Sequence, residues 1–165
     1  MIIGGFVITN AAYNNPNVKG LVYVAALAPK EGQSVSNFPP FPKEFEGKTL
    51  LIFDKGGFAY INPPVFHDFF VQDVDPATAS ILAVVQKPAN LSGLVNVTSG
   101  PPAWKQLPTW YAVSEYDHVI PTATERMFAK QMNATTISLP SSHASLVSHP
   151  NEIAQLILNA TKGIK

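Results

Sequence analysis

Two side chains able to move a proton sit at matched places in this chain. Asp117 lies in WYAVSEYDHVIP and His143 in TTISLPSSHASLVSHP. Each follows a short run of β-branched and aromatic residues, and each opens a loop ahead of a helical segment. An Asp that fixes the tautomer of a His, and a His that carries the proton, are two parts of the apparatus for acyl transfer. The third part is a Ser on a sharp strand-to-helix turn upstream of both. The chain opens MIIGGFVITNAA, and two residues before its glycine pair stands Ile2, which has no nucleophilic atom.

Other residues have a claim on the same chemistry. Glu115 is a second acid beside Asp117, and His149 reads as the residue that starts the last helix. Ser141 and Ser142 precede His143, but adjacent loop side chains rarely converge on one point. Asp117 has a plainer reading as a turn residue before Pro121, and His143 as a loop histidine bonded to neighbouring hydroxyls. His67-Asp68 in VFHDFF suggests a metal only weakly, since zinc needs at least three protein ligands. No metal or cofactor is expected.

Composition narrows the function classes. The chain has 165 residues and formal net charge +0, so nothing draws it to nucleic acid or to an anionic membrane. Charged residues make up 13%, against roughly 25% in an ordinary domain. That deficit implies a thickly buried sheet, or a surface meant to be covered. There is no Cys, which excludes disulfides, thiolate catalysis and thiolate metal sites. N-x-S/T sequons at Asn90, Asn96, Asn133 and Asn159 permit a secretory origin. The apolar start lacks a basic flank and is broken by Gly4 and Gly5, so it does not read as a signal peptide.

The elements that would position Asp117 and His143 alternate. Residues 18–27 form a nearly continuous apolar run, as in a parallel strand buried on both faces. Thr109–Val113 and Thr135–Leu139 read as further strands. Thr122-Ala123-Thr124-Glu125 has capping-box spacing and starts a helix that ends near Asn133, and Pro150 opens the last one. The core is therefore α/β with parallel pairing, spanning 1–29 and 108–165. Residues 30–107 interrupt it and read as an inserted cap. Within that segment, 49–53 and 58–61 flank Asp54-Lys55-Gly56-Gly57 as a β-hairpin that Pro63 and Pro64 close. Asp75 and Pro76 cap a helix running through Ile81, Leu82 and Val85. Phe41, Phe45, Phe53, Phe58, Tyr60, Phe66, Phe69 and Phe70 gather there, as cap core or as an apolar wall over a site. Met1–Thr9 is a strand by propensity, although a glycine pair followed by FVITNAAY equally opens a helix.

The stretch GGFVITNAAYNNPNVKGLVYVAALAPKEGQSV resembles the region just after the nucleophile elbow of α/β-hydrolase-fold proteins, in particular small esterases and hydroxynitrile-lyase-like members. The Asp117 and His143 segments resemble that family's acid and histidine loops, in the same order, and LLIFDKGGFAYINP resembles its cap. The resemblance implies a partial α/β-hydrolase fold comprising its last three parallel strands, flanking helices and a cap with a β-hairpin. It makes Asp117 and His143 the acid and base of a Ser-His-Asp triad. The family elbow, G-x-S-x-G-G, is matched only at Gly4 and Gly5, with Ile2 at the Ser position. The expectation is a truncated serine hydrolase that is inactive as written and whose substrate, if it were active, is a small apolar ester. Two further expectations stand beside it: a homo-oligomer or partner protein paired through an exposed strand at 18–27, and a binder of small apolar ligands.

Overall fold

A computed structural model of the chain describes residues 2–38, 45–90, 93 and 95–164. Phe41 lies outside this set. The first element is a helix, α1 (Ile2–Ala11), so the glycine pair opens a helix and the propensity-based strand is not formed. Packing explains why. A Cβ at Gly5 would lie 2.3 Å from the Leu27 carbonyl oxygen, so the helix rests directly on the backbone at 26–27. Phe6 and Thr9 are buried along it and Ala12 just after it, and this contact outweighs the mild helix penalty of Ile, Val and Thr.

A three-stranded parallel sheet carries the core, in the order β1 (Leu21–Val24), β4 (Thr109–Ser114), β5 (Thr135–Leu139). Leu21 pairs with Thr109 and Trp110 with Thr135, so all three strands point their C-terminal ends the same way. The central strand β4 is buried at every position, as an unalternating apolar sequence requires. Its Tyr111 and Val113 face Phe128 and Met132 from α4 (Thr122–Gln131) and its C-cap, whereas Trp110 and Ala112 face Ile153 and Leu156 of α6 (Pro150–Gly163), which follows the single turn α5 (Ser145–Ser148). Helices thus cover both faces. Each fully buried side chain such as Phe128 or Ile153 contributes about 1.5–3 kcal/mol.

The apolar run at 18–27 yields a strand of only four residues. Ala25 breaks it with a φ of 42°, and Ala25–Ala28 are buried rather than exposed. The strand expected over 18–27 is therefore shorter, with β1 confined to Leu21–Val24. Its outer edge has no partner among the described residues, while its Leu21 and Tyr23 are buried.

The hairpin forms as expected. β2 (Leu51–Phe53) pairs antiparallel with β3 (Ala59–Ile61). Asp54 Oδ1 accepts the Gly56 and Phe58 N–H groups, and Gly57 takes the positive φ of the turn. Pro63 and Pro64 close the hairpin, whose β3 ends at Ile61, and they also begin a helix, α2 (Pro63–Phe70). Prolines in a first turn forfeit no hydrogen bond, because those N–H groups have no helical partner. Asp75 caps α3 (Pro76–Val85) through the Ala77 and Thr78 N–H groups. No described helix is long and apolar enough to cross a membrane.

Candidate active site

Asp117 and His143 meet at the C-terminal ends of β4 and β5. Asp117 follows the β4 turn, and its Oδ1 accepts the Val119 and Ile120 N–H groups at 2.6 and 2.9 Å. That turn leaves Oδ2 free to receive His143 Nδ1 at 2.6 Å, and both side chains are fully buried. Burial raises the Asp117 carboxyl pKa, but the adjacent imidazole and the hydrogen bonds outweigh it, so Asp117 titrates below its ordinary value. The Phe70 ring lies 4.9 Å from the imidazole. Nε2, the nitrogen facing away from Asp117, is buried and has no hydrogen-bond partner among the described residues.

The remaining sequence candidates lie elsewhere. Glu115 pairs with Arg126. Ser141 Oγ bonds Ser114 Oγ at 3.1 Å, and Ser142 Oγ accepts the Ala144 N–H, so neither reaches Nε2. His149 stands at the N-terminus of α6 and faces Glu152 at 3.6 Å. His67 stands 3.4 Å from Asp68 and bonds the Val74 carbonyl, and no group of metal-ligating side chains occurs among the described residues. Ile2 falls in the first turn of α1, whose next residue, Ile3, lines a cavity of about 640 Å³. Phe70, Val119, Ile120 and Ala144 line the same cavity, so it reaches the neighbours of both Asp117 and His143.

Sequence reasoning missed Glu125. Instead of capping its helix it turns inward, is fully buried, and its Oε2 accepts the Ser114 N–H at 3.0 Å. Burial first, and then the negative Asp117 nearby, raise its pKa to about 10, so it is a neutral acid at pH 7. The spacing carried the signal. Glu125, Phe128, Ala129 and Met132 fall on one helical face, and the last three are apolar and buried.

The alpha/beta hydrolase family profile matches residues 3–156. The chain belongs to the alpha/beta hydrolase family. An alpha/beta hydrolase of Aspergillus novofumigatus is 23% identical over 146 residues, covering 85% of this chain and 56% of that protein. The chain thus spans about half the length of that curated relative. Among solved structures, a methylesterase from Arabidopsis is 16% identical with a TM-score of 0.74, over 97% of this chain and 66% of that one. A pyrethroid hydrolase from Sphingobium faniae JZ-2 is 22% identical with a TM-score of 0.71, over 98% and 68%. Polyneuridine aldehyde esterase is 12% identical with a TM-score of 0.72, over 95% and 66%. At these identities the likeness is one of fold, and esterases are among the alpha/beta hydrolases that share it.

Proposed function

We propose that this chain carries the acid–base half of a carboxylic-ester hydrolase centre, and that these 165 residues alone do not turn over esters. The observation that carries the reading is the fully buried contact between Asp117 and His143, with Nε2 left unpartnered. In this arrangement Asp117 holds the Nδ1–H tautomer, and bare Nε2 is the base for a hydroxyl proton. No described hydroxyl bonds that nitrogen, and Ile2 stands where the family places its Ser. A triad stripped of its nucleophile keeps only residual catalysis.

The inserted segment acts as a cap in this reading, and the cavity is where an ester would sit. Its lining is mostly aliphatic and aromatic. The Gln86 side chain that reaches it is already spent on the Ile61 N–H and carbonyl. An uncharged apolar ester suits such a space. Spectrophotometric assay of the purified chain with a p-nitrophenyl ester tests the proposal: the rate expected is that of the buffer blank. Saturable turnover that disappears in His143→Ala overturns it.

The cavity also favours a second reading, in which the chain binds a small apolar ligand without changing it. Stoichiometric binding with no turnover distinguishes that role.

A further inference from the structure

The loops bearing Asp117 and His143 are tied to one short stretch of the inserted segment, at its junction between α2 and α3. Gln72 Nε2 donates to the Tyr116 carbonyl, one residue before Asp117. The next residue, Asp73, accepts the Ser142 N–H on Oδ2 at 2.9 Å, one residue before His143. Within the last turn of α2, the Asp68 carbonyl bonds His118 Nδ1 at 2.8 Å, one residue after Asp117. Phe70 packs on the imidazole itself. These four contacts therefore fall on both flanks of the acid and on the histidine and the residue before it, all from residues 68–73.

We propose that Asp73, with Gln72 beside it, is a positioning residue: it holds the His143 loop in bonding register with Asp117 from outside the sheet. The proposal rests on the reading of Asp117 and His143 as a proton-relay pair. β4 and β5 fix where the two loops leave the sheet, but Asp117 is three residues past β4 and His143 four past β5. A 2.6 Å contact between side chains on two such loops needs a second constraint on each. Gln72 supplies one for the acid loop and Asp73 one for the histidine loop, and consecutive residues cannot move independently. The Asp73 carboxylate suits this task. Desolvation pulls its pKa up, yet the hydrogen bonding from Ser142 outweighs that, so it stays below its ordinary value and ionised at neutral pH. Asp73 is itself exposed, so shortening it leaves no internal void.

The test is proton NMR of the intact chain, following the far-downfield resonance of an imidazole Nδ1–H bonded to a carboxylate and its exchange with solvent. Asp117→Asn serves as the control that removes the resonance. Asp73→Ala is expected to broaden it or speed its exchange by about tenfold or more while the dispersed amide spectrum persists. Asp73→Asn, which keeps an acceptor oxygen, is expected to retain it. Gln72→Ala acts on the acid loop and is expected to speed exchange as well. Unchanged exchange in both Asp73→Ala and Gln72→Ala overturns the positioning role while the pair itself stands. Absence of the resonance from the unaltered chain overturns the proton-relay reading, and the positioning role with it.

Discussion

His143 Nδ1 lies 2.6 Å from Asp117 Oδ2, with neither side chain exposed to solvent. Asp117 spends its other oxygen on two backbone N–H groups of its own turn. The carboxylate therefore has one open arm, and the imidazole occupies it. That division fixes which nitrogen of His143 carries the proton.

Asp117→Asn tests this directly. Asn Oδ1 can still accept the Val119 and Ile120 N–H groups, which puts the Nδ2 donor against His143 Nδ1. Two donors cannot bond, so the ring proton is expected to move to Nε2, as ¹⁵N shifts of His143 would show. Stability is expected to fall by about 1–3 kcal/mol in urea unfolding, the usual cost of a mismatched buried polar pair. A proton retained on Nδ1 contradicts the orientation.

Glu125→Gln gives a pH signature. The Glu125 pKa rises from 4.5 to about 10 on folding. Between those values the unfolded chain releases a proton that the folded chain keeps, so Glu125 lowers stability as pH rises, by about 1.4 kcal/mol per pH unit at most. Above pH 10 both states are ionised and the loss stops growing. Gln cannot ionise, so the stability of Glu125→Gln relative to the parent is expected to increase steadily from pH 5 to pH 9 in urea titrations. A difference independent of pH shows that Glu125 is charged in the folded chain.

Much of the site was legible because it follows from local chemistry. Asp117 and His143 each come just after a β-forming run, and parallel strands bring such positions to one end of a sheet. The Asp75-Pro76 start of α3 and the Asp54-Gly57 turn were readable for the same reason. What escaped depends on partners distant in sequence. Only the approach to Leu27 shows why residues 2–11 form a helix, and only the buried Ser114 N–H that donates to Oε2 shows that Glu125 points inward rather than along its helix. Pro63 and Pro64 carry identical local signals for stopping one element and starting another. The run at 18–27 is apolar beyond its strand because residues 25–28 stay buried past the strand end, with Tyr111 Oη bonded to both the N–H and the carbonyl of Ala26.

Gly5→Ala separates local from tertiary control of α1. Helix propensity alone favours Ala by about 1 kcal/mol. The added methyl would stand 2.3 Å from the Leu27 carbonyl oxygen, a backbone atom that cannot swing aside. Forced overpacking of this kind costs about 1–3 kcal/mol, so a net loss of thermal stability is expected. Gly4→Ala, where nothing lies within 4 Å, is expected to be neutral or stabilising. Calorimetry of the two variants side by side checks the contrast, and equal effects contradict the packing account.

The cavity makes its own prediction. A neutral fluorescent naphthylamine is expected to bind the chain with a stoichiometry of about one, as an apolar space of this size allows. Leu82→Trp, which fills part of the lining, is expected to weaken binding by about tenfold or more. Equal affinity for both proteins places the dye elsewhere.

The central claim is that the proton-carrying pair is assembled while no hydroxyl in these residues is activated by it. Intact-mass spectrometry after incubation with an excess of a fluorophosphonate tests it most directly. The account predicts an unmodified mass. A single adduct on a serine, abolished by His143→Ala, would contradict it.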